Sequence, residues 1–189
     1  MTITEQIKEE LLKRTNNVKE EDKYDFWEDH IKYVVKNALE LADAYNADKE
    51  IVELGALLHD IAMPSKIGPR EEHHIYGAQI AEELLTKYNY SKDRIERVKE
   101  CVLRHRGSQD LPRNTLEEEI IADADVMAHF DSIPSLFSLA FKRLNLDIKE
   151  GTNYVKEKLE RDYNKLSPRT RDYLKERYEN IINILFVNK

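Results

Sequence analysis

Residues 50–62 read EIVELGALLHDIA, and the fold follows from that stretch. Ile51, Leu54, Leu58 and Ile61 recur at three- and four-residue spacing, which predicts a helix with one apolar stripe. Asp48 is a suitable N-cap for it, and Pro64 is expected to stop it shortly after His59 and Asp60. The adjacent His59 and Asp60 lie about 100 degrees apart on a helix and can flank one ion near its end.

Working outward, helical periodicity continues on both sides. Residues 3–14 form a short amphipathic helix, and the polar stretch 16–25 reads as a loop. The next helix begins near Tyr24 to Trp27 and carries His30, Val34, Ala38 and Leu41 on one face. Beyond the 50–62 helix, PSKIGPREE (64–72) is a loop of prolines, a glycine and charges. A helix from His73 presents His73, Gly77, Ile80 and Leu84 on one line and His74, Ala78, Ala81 and Leu85 on the next. Ser91 caps a helix with Ile95, Val98, Val102 and His105 in register, which Gly107 ends. Thr115 and Glu118 resemble a capping box opening a helix through EEEIIADADVMAHF (117–130), which Pro134 interrupts or restarts. SLFSLAFKRL (135–144) is apolar enough to be buried. Amphipathic helices around 148–164 and 168–187 complete the chain, the last with Leu174, Tyr178, Ile181 and Leu185 in register.

Composition agrees with an all-helical chain. Gly and Pro number five each in 189 residues, which favours long helices and short turns over strands. The length suits one domain, here divided into an N-terminal helix and linker (1–23), a core (24–131) and C-terminal helices packed on that core (132–189). A formal charge of -7 repels polyanions, so bulk nucleic-acid binding is not expected. Cys101 is the only cysteine and reads as a small buried hydrophobe; this excludes an internal disulfide or thiolate metal cage. With no apolar run of about 18 residues, neither signal peptide nor membrane span is expected, and the location read from the sequence is cytoplasmic.

Four helices thus bring a histidine, or a histidine with an aspartate, to an inward position, and a fifth brings Asp123 and Asp125. Burying such groups without compensation is costly, whereas a divalent cation satisfies imidazole and carboxylate together.

The ordered pattern H...HD...D, carried by WEDHIKYVVKNALELA (27–42), EIVELGALLHDIA (50–62) and IIADADVMA (120–128), resembles the HD-domain metal-dependent phosphohydrolases over roughly residues 24–131. The resemblance implies an all-helical bundle in which His30, His59, Asp60 and Asp125 bind a metal. Asp123 is the alternative to Asp125, and periodicity with Leu116, Ile120 and Met127 favours it. HHIYGA (73–78) and VLRHRGS (102–108) resemble the positions of two further histidines that hold a second metal in some members, here His73, with His74 as its alternative, and His105. The other reading makes these histidines a phosphate-binding wall around one ion. One or two ions are therefore expected, and nitrogen and oxygen ligands suit Mn, Fe, Co, Ni or Zn.

Met63 stands where many members carry a lysine. Lys66, Arg70, Arg104 and Arg106 are nearby in sequence and are candidates for phosphate contacts. The HHExxDGxGYP signature of cyclic-dinucleotide phosphodiesterases is absent, and so are GxSxG and Walker-type loops. The function expected is hydrolysis of a small, nucleotide-like phosphate ester, with Asp60, His73 and His105 as catalytic groups. The alternatives are a metal-containing ligand-binding or regulatory module, which Met63 makes conceivable, and a di-iron oxygenase.

Overall fold

The all-α architecture has the 50–62 segment at its centre. A computed structural model describes residues 1–16, 24–106 and 111–186, and no strand occurs among them. Helix α1 spans Ile3–Asn16, and a π-helical turn over Trp27–Ile31 runs into α2, Lys32–Tyr45. Next come α3 (Lys49–Leu58), the single turn α4 (Ala62–Ser65), α5 (His73–Lys87), α6 (Lys92–Arg104) and α7 (Leu116–Asp131). The short α8 (Ile133–Ser138), a π-helical turn over Leu139–Arg143, α9 (Ile148–Lys165) and α10 (Pro168–Leu185) complete the order.

Helix α3 is buried almost all round. Ile51, Val52, Leu54, Gly55, Ala56, Leu57 and Leu58 are all inside, and the helix touches α1, α2, α5, α6 and α7. Gly55 permits that crowding, because a Cβ there would stand 3.1 Å from both Cys101 Cβ and Ile121 Cγ1. Asp48 opens the helix as expected, its carboxylate accepting the Ile51 N–H. The C-terminal end of α3 therefore delivers His59 and Asp60 to the middle of the molecule.

The other elements close around this axis. α5 packs on α6 and α2 on α7, while α1 lies against α3 and α4 through the buried Ile7 and Leu11. α9 contacts α7, α8 and α10. Thr115 caps α7 by accepting the Glu118 N–H, whereas the Glu118 carboxylate accepts from Asn114, so the reciprocal bond falls one residue before the cap. Pro134 sits in the first turn of α8 and restarts the helix. Cys101 is buried, and burial pushes its thiol up.

Several expectations need correction. Pro64 does not stop α3, which ends at Leu58, with a turn following before Pro64 enters α4. In a first turn the missing proline N–H has no helical partner to lose. Ser91 stands at the N-cap of α6 without a side-chain capping bond. SLFSLAFKRL is only half buried: Leu136 and Ala140 are inside, Phe141 and Leu144 exposed. Leu185, expected in register on the last helix, is exposed as well. Most of the 16–25 loop, and Gly107 with residues 108–110, lie outside the described residues. Among the described residues no helix is long and apolar enough to cross a membrane.

Candidate metal centre

Each histidine reaches the site from a place where the helix is ending or irregular. Asp25 opens the segment before α2 by accepting the N–H groups of Trp27 and Glu28 at 2.9 and 2.8 Å. The π-helical turn that follows places His30 inward; such single turns recur at functional sites. His59 is the C-cap of α3, Asp60 stands in the turn after it, His73 starts α5, and His105 is the C-cap of α6. Asp125 alone lies in mid-helix, on α7.

Backbone carbonyls fix three of the imidazoles. Nδ1 of His59 is 2.8 Å from the Ala56 carbonyl, that of His73 2.6 Å from Arg70, and that of His105 2.6 Å from Val102. A carbonyl can only accept, so each Nδ1 carries the proton and, in the neutral ring, each Nε2 presents a lone pair. The Nε2 atoms converge. His59 Nε2 is 3.2 Å from His30 Nε2, and His73 Nε2 is 3.1 Å from His105 Nε2.

Asp60 stands between the two pairs. Its Oδ1 is 3.1 Å from His73 Nε2 and 3.7 Å from His105 Nε2. Its Oδ2 is 3.8 Å from His30 Nε2 and 3.6 Å from His59 Nε2. Asp125 Oδ1 is 3.1 Å from His30 Nε2 and 3.9 Å from His59 Nε2. Acceptors facing acceptors repel unless a cation lies among them. Ligands about 2.0–2.2 Å from an ion in tetrahedral or octahedral array lie roughly 3–3.6 Å apart, so the donor set and its spacing fit a divalent ion. Among the described residues three groups could hold one: His30, His59 and Asp60; His30, Asp125 and His129; and Asp60, His73 and His105.

The same contacts set the electrostatics of the protein groups alone. Burial raises the Asp60 carboxyl, but His59, the bond from His73 and the charge of His105 outweigh it and hold Asp60 well below the usual carboxylate range. Asp125 is likewise lowered, burial being overcome by His30 and His59. Burial pushes His30 and His73 down, yet the bonds to Asp125 and Asp60 respectively leave both raised. His105, buried beside His59, is lowered to about 4 by burial and by that neighbour.

The alternatives open in the sequence separate here. Asp123 is buried on the other side of α7, where it accepts the Ser167 N–H and hydroxyl at 3.0 and 2.6 Å. Its periodicity with Ile120 and Met127 goes with its burial, and it belongs to none of the three groups named above. His74 is also buried but belongs to none of the three groups, while its neighbour His73 points at Asp60.

The four basic candidates divide. Arg70 and Arg106 line the cavity over the site, about 370 Å³ in volume, with Arg106 bonded to the Glu71 carbonyl. Lys66 and Arg104 do not line it. Lys66 is exposed in a left-handed conformation after α4, and Arg104 is turned to Glu100 and the Pro112 carbonyl. Met63, at the position of the missing lysine, lines the cavity.

Sequence reasoning missed the opposite wall. Tyr24, His129, Arg143, Tyr154, Lys158 and Asp162 also line the cavity. His129 follows Asp125 by one helical turn, a spacing visible in the sequence. Lys158 and Asp162 form an i,i+4 pair on α9, and the packing of α9 on α7 brings them to the cavity.

The chain was compared with known proteins. A family model described as HD domain matches residues 27–129, a span that contains every histidine. A tRNA (cytidine(56)-2'-O)-methyltransferase of Picrophilus torridus is 32% identical over 142 residues, 68% of this chain and 39% of that protein. An uncharacterized protein of Clostridium beijerinckii is 29% identical over 75 residues, 40% of this chain and 48% of that one. The chain thus spans less than half the length of both. Among solved structures, Bacillus subtilis YpgQ in complex with ADP has a TM-score of 0.69 at 21% identity, covering 96% of this chain and 93% of that one. A predicted HD superfamily hydrolase from an uncultured Thermotogales bacterium has a TM-score of 0.59 at 21% identity, covering 91% of each chain. These structures share the fold. With the family model spanning more than half its length, this chain belongs to the HD-domain family.

Proposed function

We propose that the protein is a metal-dependent phosphohydrolase acting on a small, nucleotide-like phosphate ester. The observation that carries this reading is the Asp60 carboxylate set between two histidine pairs whose Nε2 atoms face it. His30, His59, Asp60 and Asp125 would hold one divalent ion, and Asp60, His73 and His105 would hold a second. When bound, a divalent ion supplies positive charge to phosphoryl oxygens and makes hydroxide accessible near neutral pH.

The protein's own groups do the rest. Arg70 and Arg106, on the cavity wall that also carries His73, are placed to receive phosphoryl oxygens. Burial and the charges of Asp60, Asp29 and Asp125 raise the Tyr24 phenol, so its hydroxyl stays a proton donor facing the cavity. Apolar wall from Phe26, Met63, Leu136 and Leu139 suits a nucleoside-sized body, and the volume lies in the usual range for small-ligand sites. The ADP complex of YpgQ, a protein of the same fold, supports a nucleotide-like ligand.

Assay of the protein with added Mn against a chromogenic phosphodiester and a panel of nucleotides tests the reading. Release of phosphate or nucleoside product, abolished by Asp60→Ala, is expected. Metal binding with no hydrolysis across the panel would contradict it, and dioxygen consumption by iron-loaded protein would point to an oxygenase instead.

A further inference from the structure

The part of the cavity lining supplied by α9 carries charge that the proposed hydrolytic centre does not use. Asp162 is 1% exposed and holds two lysines, Lys158 Nζ at 2.8 Å from Oδ2 and Lys165 Nζ at 2.8 Å from Oδ1. His129 Nδ1 lies 2.9 Å from the same Oδ2. The lysine side chains are 19% and 36% exposed, so both stay partly open to solvent while paired with Asp162. Two ammonium groups face one carboxylate, and a unit of positive charge is left over.

All four side chains line the cavity of the metal centre. They connect to it without a break: the His129 ring stacks on His30 at 5.9 Å, and His30 reaches Asp125 at 3.1 Å. Across the described lining, five cationic side chains (Arg70, Arg106, Arg143, Lys158 and Lys165) meet four carboxylates (Asp29, Asp60, Asp125 and Asp162). Any divalent ion on Asp60 and Asp125 makes the cavity more positive still. A ligand with a single phosphoryl group at the ion would leave the lysine end uncompensated.

We propose that Lys158 and Lys165, held in place by Asp162, form a second anion subsite beside the metal centre, so that the cavity selects substrates carrying at least two linked phosphoryl groups. The proposal rests on the phosphohydrolase reading and narrows it to nucleoside di- or triphosphates over monophosphates. Helix α9, which supplies the subsite, lies outside the segment 27–129 matched by the family model. Selectivity for the phosphate chain is thereby assigned to a different element from the metal ligands. Asp162 is a positioning residue: it keeps two flexible side chains extended toward the cavity and lowers the ordering cost of binding.

Calorimetric titration of metal-loaded protein with AMP and with the non-hydrolysable α,β-methylene ADP tests this without relying on turnover. The wild type is expected to bind the diphosphate roughly tenfold or more tightly than AMP, as for one or more charge-assisted hydrogen bonds. In Lys158→Gln/Lys165→Gln that preference should fall to within about threefold. The single variant Lys165→Gln, at the more exposed position, keeps the Lys158–Asp162 pair if the double variant is poorly folded, and it should show an intermediate ratio. Equal affinities in the wild type, or an unchanged ratio in folded variants, would overturn the subsite. The two readings fail separately. Nucleotide hydrolysis without diphosphate preference removes the subsite and leaves the phosphohydrolase; diphosphate preference without any hydrolysis keeps the subsite and removes the hydrolytic reading.

Discussion

Asp123 and Asp125 stand two residues apart on α7, yet the helix turns them to opposite sides. Asp125→Asn should lose most bound metal, because its carboxylate oxygen stands 3.1 Å from His30 Nε2. Asp123→Asn should keep the metal and lower stability by about 1–2 kcal/mol, since it weakens the acceptor that receives the Ser167 N–H and hydroxyl. Elemental analysis and thermal melts of the pair read both effects, and the opposite ranking would move the ligand to Asp123. Replacing His73 by alanine tests the second position: with two ions the stoichiometry falls toward one, and with a single ion it does not change. Asp162 supplies a pH prediction. Burial raises its carboxyl, but His129 and Lys158 outweigh this and lower it. A lowered carboxylate stabilises the fold above its unfolded value of about 3.9 and loses that contribution as pH falls. Asp162→Asn should therefore cost about 2–3 kcal/mol at neutral pH, less than a fully buried pair because the lysines are partly solvated. In melts, the gap to wild type should shrink as pH falls below about 4; a gap that widens there would contradict the ion-pair account.

At the scale of elements, α3 decides where the chemistry stands. Gly55→Val adds branched carbon where a bare Cβ already meets Cys101 and Ile121 at 3.1 Å, so overpacking should cost about 1–3 kcal/mol. Chemical denaturation measures it, and wild-type stability in this variant would show that α6 and α7 can retreat from α3. The starts of α3, α5 and α7 were legible because each is marked by a local signal: the caps Asp48 and Thr115, and the loop chemistry before His73. The end of α3 was not. No glycine or proline marks Leu58, and the helix gives way to a turn in which Asp60, rather than continuing the spiral, faces both histidine pairs. The π-helical turn at Trp27–Ile31 was equally hidden, since its extra residue leaves the apolar spacing of α2 intact.

For the molecule as a whole, the metal side of the cavity was legible because its residues share local signals, a histidine on an apolar stripe at a helix end. The α9 side was not, because Lys158, Asp162 and Lys165 have the spacing of a solvated helix face and acquire meaning only when α9 packs on α7. Proximity in sequence did not separate the four basic candidates: Arg70 and Arg106 line the cavity, while Lys66 and Arg104 do not. The central claim is that one constellation from five segments of the chain holds a divalent ion, and metal content tests it most directly. Protein purified without added metal, then dialysed against a weak chelator, is analysed by elemental mass spectrometry beside His59→Ala and Asp60→Ala. The account predicts at least one tightly held transition-metal ion per wild-type chain and a small fraction of that in either folded variant. Wild-type stoichiometry retained in both variants would contradict it.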